Sequence, residues 1–371
     1  MQADAEGFLY PVVDVSACLH CYLCERVCPV QQRMVEHYDV IKETSEACAL
    51  ICADADLHGR VGSGGAFSLM ARHILQEGGA VVGAAWTADW LVEHVVVHSW
   101  EEYVRLCGTK YLQSNPGTTL KQTRELLQAG RRVLFCGTGC QIAGLVRFLR
   151  KNYPNLITVN IACYGSPSPG VWQNYLRALQ QEYHLGEITD VQFRKKEGLS
   201  SLNMVVEGTC STYRNYVYGD SYGWGLVNDV INRPSCENCL FKGAASLSDI
   251  TVGDARGIEA YDPAVNPHEG ISVVVSHSRK GASLVAELKG ECRYFRPLPL
   301  PGAIAQNMGV VCSFNSHAAL RQAFFDRYAR GQSALLILRQ LQRGSFCTRV
   351  KRLAGRMKGF VKKIVRKLLC R

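Results

Sequence analysis

The sequence predicts an α/β protein with a mixed sheet and flanking helices, a small ferredoxin-like cysteine-rich unit at the N-terminus and an amphipathic helix at the C-terminus. Short apolar runs that end in glycine turns alternate with segments of helical periodicity, the pattern of strand–turn–helix units. Four cysteines lie close together between residues 18 and 28. We expect three segments: a partial 4Fe–4S ferredoxin-type unit over 1–45, the α/β domain over 46–340 and a basic amphipathic tail over 345–371.

The composition is that of a globular protein that ligates metal in a reducing compartment. Of the 371 residues, 47% are hydrophobic and 20% are charged, which allows one large core or two smaller domains. The N-terminus carries neither a basic start nor an apolar run, and no stretch approaches the roughly 18 apolar residues of a membrane span. Because 17 cysteines occur in a chain without an export signal, we expect metal ligation rather than disulfides, and a cytoplasmic location.

The N-terminal cysteine run consists of Cys18, Cys21, Cys24 and Cys28, followed by Pro29. These spacings match the bacterial iron–sulfur ligand run, in which one tight loop reaches several corners of a cluster. A disulfide framework and a zinc site are the alternatives, although zinc usually takes two separated cysteine pairs.

In two-cluster ferredoxins the fourth cysteine of such a run serves the other cluster, and here no second run precedes the first. Three interpretations follow. The true start lies upstream, or the run holds one cluster with Cys28 or another local ligand, or the run is vestigial.

A glycine-rich loop, Ser63–Gly65, precedes an apolar-periodic helix that continues to Gln76. Glycines at a helix N-terminus let backbone N–H groups approach an anion, so both a phosphate site and a simple turn fit this loop. Cys48 and Cys52, just before it, are expected on a helical turn, as core thiols rather than spare ligands.

The elements that follow repeat the strand, turn and helix order of a parallel sheet. We assign strands at Gly78–Trp86, Arg132–Cys136, Leu156–Cys163, within 188–230, at Ser248–Asp254 and at Ile271–His277. Helices are assigned at Thr119–Ala129, Ile142–Leu149, after Pro169 and at Gly281–Lys289. This layout places ligands at the carboxyl edge of the sheet.

A second group of cysteines occupies the predicted loops of that edge. Cys140 and Cys163 follow strands next to glycine turns, and Cys236 and Cys239 form a CxxC pair after a proline. Since loops after parallel strands converge, the four predict a site with four thiolate ligands, with a zinc site and unrelated core cysteines as alternatives.

Six sequence blocks, in order, closely resemble the coenzyme F420 hydrogenase/dehydrogenase beta-subunit family. They are Ser63–Ser68, Lys110–Ser114, Leu134–Leu145, Cys163–Pro169, Arg233–Cys239 and Asp249–Asp254, within a likeness that covers roughly residues 8 to 290. Family members are flavoproteins with an iron–sulfur cluster beside FAD. Relatives act on the deazaflavin coenzyme or on chlorophyll-type pigments, and others lie in bacterial surface-polysaccharide pathways.

The resemblance implies two cofactors. It implies a [4Fe–4S] cluster on Cys140, Cys163, Cys236 and Cys239, in addition to any cluster on the N-terminal run. It also implies FAD contacts, for which the candidates are Ser63, Gly64, Gly65, Lys110, Gln113, Gly137 and Thr138.

The chain departs from the family pattern at four positions near the implied flavin. Gly139 stands before Cys140 where the family usually has proline, and Tyr164 stands where it usually has histidine. Ala255 and Arg256 replace an aromatic pair. An imidazole and an aromatic platform are therefore missing, and the sequence does not identify the substrate.

The positive charge of the chain belongs to its tail. The net charge is +10, and the ten basic residues from Arg349 onward have no acid among them, so the rest of the chain is near neutral. We therefore expect no nucleic-acid partner. Apolar residues recur in this tail at steps of three and four from Leu353 to Leu368, which favours peripheral association with an anionic membrane; docking on a protein and disorder are the alternatives.

The sequence thus predicts a flavin- and iron–sulfur-dependent oxidoreductase that passes electrons between [4Fe–4S] cluster(s) and a small-molecule hydride acceptor or donor through FAD. A redox partner protein, a ferredoxin or a dehydrogenase subunit, is expected. A non-catalytic electron-transfer subunit and a zinc-binding structural protein are the alternatives.

Overall fold

The computed structural model of the protein describes residues 1–33, 45–197, 200–242, 247–305, 307 and 317–344. These residues form an α/β fold around a nine-stranded mixed sheet with flanking helices, which confirms that part of the predicted fold class. The strand order is β14–β3–β13–β12–β8–β7–β4–β5–β6. The strands are β3 (Glu46–Cys52), β4 (Ala80–Trp86), β5 (Val92–Val97), β6 (Ser114–Asn115), β7 (Val133–Gly137), β8 (Leu156–Ile161), β12 (Ile250–Asp254), β13 (Ser272–Ser276) and β14 (Cys292–Leu298).

Two smaller sheets accompany the large one. The first two strands, β1 (Gln2–Ala3) and β2 (Leu9–Tyr10), pair antiparallel at the N-terminus. The other sheet is an antiparallel meander of β9 (Ile188–Glu197), β10 (Ser200–Gly208) and β11 (Thr212–Tyr216).

Helices cover both faces of the large sheet. They are α1 (Leu23–Arg26), α2 (Pro29–Arg33), α3 (Ala55–Arg60), α4 (Ala66–Gln76), α5 (Trp100–Tyr103), α6 (Thr119–Gln128), α7 (Gly139–Leu149), α8 (Pro169–Glu182), α9 (Ser221–Val227), α10 (Arg279–Glu287), α11 (Leu300–Ala305), α12 (Ala318–Tyr328) and a last helix over 334–344. Apolar side chains of α4 and α10 pack on one face, and those of α6 and α7 pack on the other.

Parallel pairing explains why the central strands read as continuous apolar runs. Strand β7 pairs parallel with both β4 and β8, and all five of its residues are buried. A strand covered by helices on both faces has no solvent side and therefore shows no alternation. Helix α8 begins as predicted: Pro169 occupies its first turn and the Ser168 hydroxyl accepts from the backbone N–H of Val171.

The assignment of Cys48 and Cys52 to a helical turn is wrong. Both lie in β3, the strand between β13 and the edge strand β14. A short apolar run does not distinguish a buried strand from a buried helix, and this one is decided by its long-range pairing. Their assignment as core thiols is confirmed, since Cys48 is 5% exposed and Cys52 is fully buried.

The meander is held over the large sheet by a large aromatic core. Phe193 from β9 packs against Trp172 of α8 at 5.1 Å between ring centroids and against Tyr111 at 5.3 Å. Tyr222 of α9 stands edge-on to Trp172 at 4.9 Å. Aromatic side chains bury large apolar areas, so this cluster fixes the position of β9 relative to the loops that precede β6.

No helix in the described part of the chain is long and apolar enough to cross a membrane. The predicted amphipathic tail, 345–371, lies outside the described residues, as do residues 34–44 of the predicted N-terminal unit.

Candidate functional site

The loops that carry the predicted site residues meet at one edge of the large sheet. Strands β4, β7, β8 and β12 run parallel through their pairings and end at this edge. Strand β3 ends there too, because it is antiparallel to β13, which is antiparallel to β12. Strand β6 starts at this edge beside the first residue of β5.

Three separate segments bring four cysteines together at the edge. Cys140 is the second residue of α7, Cys163 follows β8, and Cys236 and Cys239 lie in a turn after Arg233. Cys140 is exposed and the other three are half-buried. Surrounding protein and the neighbouring thiols Cys236 and Cys140 raise the pKa of Cys163 to about 12.

The neighbouring thiols that raise the pKa values of Cys163 and Cys236 show that the four cysteines lie near one another. The pKa of Cys236 is raised to about 11, mainly by burial and further by the nearby thiols of Cys140 and Cys239. A hydrogen bond from the backbone of Ser166 acts in the opposite direction. In this geometry no group of three or more histidine, cysteine, aspartate or glutamate side chains among the described residues is arranged to hold a metal ion. Assignment of the four as cluster ligands stays a prediction, which the soft thiolate donor set fits.

Glycines allow the cysteine-bearing loops to approach so closely. A Cβ at Gly139 would lie 2.6 Å from the carbonyl oxygen of Phe241, and a Cβ at Gly165 would lie 2.6 Å from the amide nitrogen of Asn232. Gly139 is the residue that replaces the usual proline, and here it lets the chain just beyond Cys239 pack against the first turn of α7. The backbone N–H of Arg233 donates to the carbonyl of Ser166 at 2.9 Å and ties the other two loops together.

The Ser63–Gly65 loop packs tightly against the sheet. The Ser63 hydroxyl donates to the carbonyl of Ile271 at 2.8 Å, and the Gly64 N–H donates to the Ser272 hydroxyl at 2.9 Å. A Cβ at Gly64 would lie 2.0 Å from the carbonyl oxygen of Leu50. Gly65 adopts φ +89° at the start of α4, a conformation that favours glycine. Two of the loop's polar groups therefore serve the fold.

Lys110 holds the turn that precedes the edge. Its ammonium group donates to the carbonyls of Leu106, Cys107 and Gly108 at 3.2, 2.8 and 3.2 Å. Burial lowers the pKa of Lys110 to about 8. Because its ammonium group is bound to three carbonyls of the turn, Lys110 stabilises the turn and does not point away from it.

Gln113, Gly137 and Thr138 lie between that turn and the cysteine loops. The Gln113 side-chain carbonyl accepts from the Arg233 guanidinium at 3.1 Å. The Thr138 N–H donates to the Gln141 side chain at 2.9 Å, and the Thr138 hydroxyl lies 3.2 Å from the sulfur of Cys140. Gly137 is the buried last residue of β7. These three candidates are thus adjacent to the four-cysteine group rather than separate from it.

Sequence reasoning missed two cations that reach the edge from β9. Arg194 forms a two-contact ion pair with Asp254 at 2.8 and 2.9 Å, and its Nε has no hydrogen-bond partner although it is buried. Lys196 donates to the carbonyls of Ser63 and His58 at 2.6 and 2.7 Å, and burial lowers its pKa to about 7. The alternation of side chains along a strand could have indicated them, because residues 194 and 196 share one face of β9. Lys195 lies on the other face and pairs with Glu207 at 2.8 Å.

Two of the departures from the family pattern contact each other at this edge. The Arg256 guanidinium lies 5.2 Å from the ring centroid of Tyr164, in cation–π geometry. The edge thus carries the cations Arg194, Lys196 and Arg256 and one ion-paired carboxylate, Asp254. Such a surface favours an anionic cofactor or substrate.

The N-terminal cysteine run lies at the other end of α7. Leu23 and Val27, between its cysteines, line a groove with Val146 and Leu149 from the last turns of that helix. Cys18 and Cys28 are half-buried, and Cys21 and Cys24 are exposed. Since α7 has 11 residues, the two cysteine groups are separated by a helix of about 15 Å.

The region that contains the four-cysteine group matches a family of known proteins. Residues 130–294 match the family that is described as the C terminus of the beta subunit of coenzyme F420 hydrogenase/dehydrogenase. This region is similar to that beta-subunit family. The matched range contains Cys140, Cys163, Cys236 and Cys239 and begins well after the N-terminal run. Because the family is one of hydrogenase and dehydrogenase subunits, the match indicates a role in redox electron transfer.

The fold was also compared with solved structures. A chain of the F420-reducing [NiFe] hydrogenase complex from Methanosarcina barkeri, in a xenon-derivatised form, aligns with a TM-score of 0.47 and 16% sequence identity. The alignment covers 81% of this chain and 90% of that chain. No curated protein matches the sequence.

Proposed function

We propose that the protein is an iron–sulfur oxidoreductase in which Cys140, Cys163, Cys236 and Cys239 hold a [4Fe–4S] cluster beside a bound FAD. The observation that carries the proposal is the convergence of these four thiols from three segments, all within the beta-subunit match. Thiolates are the ligands that such clusters require. When bound, the cluster moves single electrons and the flavin exchanges a hydride, which is two electrons and one proton.

The protein's own residues would orient the cofactors and exclude water. Gly139 and Gly165 let the cysteine loops close on one another, and the Arg194–Asp254 pair fixes the meander above the sheet edge. The cations of this edge support a bound pyrophosphate or an anionic substrate. Arg256 and the α4 N-terminus beyond Gly65 are the groups that would face it, since the donors of Ser63 and Lys110 are committed to the fold.

Anaerobic purification and visible spectroscopy test the proposal. The wild-type protein should show flavin bands together with broad brown iron–sulfur absorption, and dithionite should bleach both. Cys239→Ser should lose the brown absorption of one cluster, whereas Cys210→Ser, at an exposed thiol of the β10–β11 turn, should keep all of it. A colourless wild-type protein that contains zinc would contradict the proposal.

A non-catalytic electron-transfer subunit is the second candidate. It is favoured by one observation: the polar groups of Ser63, Gly64, Lys110 and Gln113 are already hydrogen-bonded within the protein. Brown protein that takes up no flavin when FAD is added would identify this function. In either case we propose that the protein is cytoplasmic and that its tail, 345–371, associates with the inner face of the membrane.

A further inference from the structure

The cysteine run at the N-terminus is surrounded by exposed apolar side chains. Leu19 is 88% exposed and Tyr22 is 61% exposed. The other large apolar residues exposed in this segment are Val12, Val13, Val15, Leu23 and Val30. Single exposed apolar residues are ordinary, but a group that surrounds one short segment is typical of an interaction surface.

A basic groove continues this surface along α7. It has a volume of about 700 Å³ and lies between α1 and the last turn of α7. Its basic side chains are Arg26, Arg147, Arg150, Lys151 and Lys280, and the acid among its lining residues is Asp249. Lys280 lies 3.2 Å from that carboxylate, and the hydroxyls of Ser278 and Thr158 donate to it, so its charge is balanced within the protein.

The apolar centre and the basic rim together describe a protein-docking face. Interfaces between proteins have an apolar core and a polar rim, and charge on the rim steers the encounter with a partner of opposite sign. We propose that this face, formed by residues 12–30 and the C-terminal end of α7, docks a small acidic electron-transfer protein. The inference rests on the proposed function, because the docked partner would lie over the N-terminal cysteine run, at the far end of α7 from Cys140.

A membrane surface fits the face less well than an acidic protein does. Two acids, Asp14 and Glu25, are exposed within the segment, and an anionic bilayer would repel them. A protein partner can place a hydrogen-bond donor or a cation opposite each acid.

Binding of a purified acidic two-cluster ferredoxin by the full-length protein tests the proposal. We expect the dissociation constant to rise steeply when ionic strength increases from about 0.02 to 0.2 M, because the screening length falls about threefold. The double variant Arg150→Asn with Lys151→Gln should weaken binding at low ionic strength by about five- to tenfold and flatten the salt dependence. Asparagine is chosen at residue 150 because that residue has φ +57°, which asparagine tolerates.

Two further variants separate charge from apolar contact. Arg105→Asn with Lys121→Gln makes the same change in charge at exposed residues away from the groove, and we expect binding to change less than about twofold. Leu19→Ser should weaken binding severalfold without altering the salt dependence, whereas Leu336→Ser, at another exposed leucine, should not.

The proposal is overturned if the wild-type protein does not bind the ferredoxin at low ionic strength, or if the groove variant binds as the wild type does. It is also overturned if the groove variant loses binding to vesicles of phosphatidylcholine and phosphatidylglycerol and keeps binding to the ferredoxin. Since binding is measured without electron transfer, failure of the proposed function would appear separately, as a ferredoxin that binds but does not reduce the protein.

Discussion

Gly139 gives the sharpest test of how the four-cysteine group is assembled. Substitution by alanine places a Cβ 2.6 Å from the carbonyl oxygen of Phe241 and 3.2 Å from its Cβ, while ordinary contact begins at 3.4 Å. The backbone at Phe241 must therefore retreat by about 0.8 Å from the first turn of α7. Overpacking of this kind costs about 1–3 kcal/mol of the free energy of unfolding. The same retreat moves the segment that contains Cys239 away from Cys140.

Gly144→Ala is the matched control, because Gly144 lies in the same helix and a Cβ there meets nothing within 4 Å. It should stabilise the protein by about 0.5–1 kcal/mol through helix propensity alone. Thermal unfolding should place Gly139→Ala several degrees below this control, since each kcal/mol is worth on the order of 2 °C in a chain of this length. Iron content should fall in Gly139→Ala and not in Gly144→Ala. Equal stability and equal iron in the two variants would refute the packing argument.

Three other predictions concern the groups around the edge. Breaking the buried ion pair by Arg194→Met or Asp254→Asn should each cost about 2–5 kcal/mol in urea unfolding, and the double variant should cost clearly less than their sum; additivity would show that the pair is not coupled. The folded pKa of Lys196, about 7, lies below its usual 10.5, so stability should rise with pH between these values as only the unfolded chain keeps the proton. Lys196→Met should abolish that rise, and a rise that persists would assign it to other groups. His94 is buried between Ser114 and the Cys136 carbonyl, and burial lowers its pKa to about 4. Stability should therefore fall as pH drops from about 6.5 to 4, and His94→Gln should show a shallower slope over this range in the same measurement.

Local pattern was sufficient for the strand–turn–helix units and insufficient for the contacts between distant segments. The buried run of β7 and the start of α8 at Pro169 each depend on neighbouring residues, and each is where the sequence placed it. Helix α7 begins at Gly139, three residues before the predicted start at Ile142. Strand β3 is defined by its pairing with β13 and β14, which lie more than 200 residues away in the sequence. Its seven residues alone therefore did not show whether they form a strand or a helix.

In the candidate site, too, local pattern predicted some features, and contacts between distant segments determined the others. The approach of Cys140 to Cys163 follows from the rule that loops after parallel strands share an edge. Cys236 and Cys239 follow helix α9 instead, and a long-range contact, the hydrogen bond from Arg233 to Ser166, ties their turn to the edge. The period of two places Arg194 and Lys196 on one face of β9, but it does not say what that face meets, because the aromatic core around Phe193 positions the strand. The same limit applies to Lys110, whose three carbonyl partners form a turn that spacing does not reveal.

The central claim is that the four cysteines of the beta-subunit region hold a [4Fe–4S] cluster. Iron per chain, counted in anaerobically purified wild-type, Cys163→Ser, Cys18→Ser and Cys210→Ser proteins, tests it most directly. We predict that Cys163→Ser loses the iron of one cluster, that Cys210→Ser loses none, and that any loss in Cys18→Ser is independent of the loss in Cys163→Ser. Wild-type iron content in Cys163→Ser would contradict the claim.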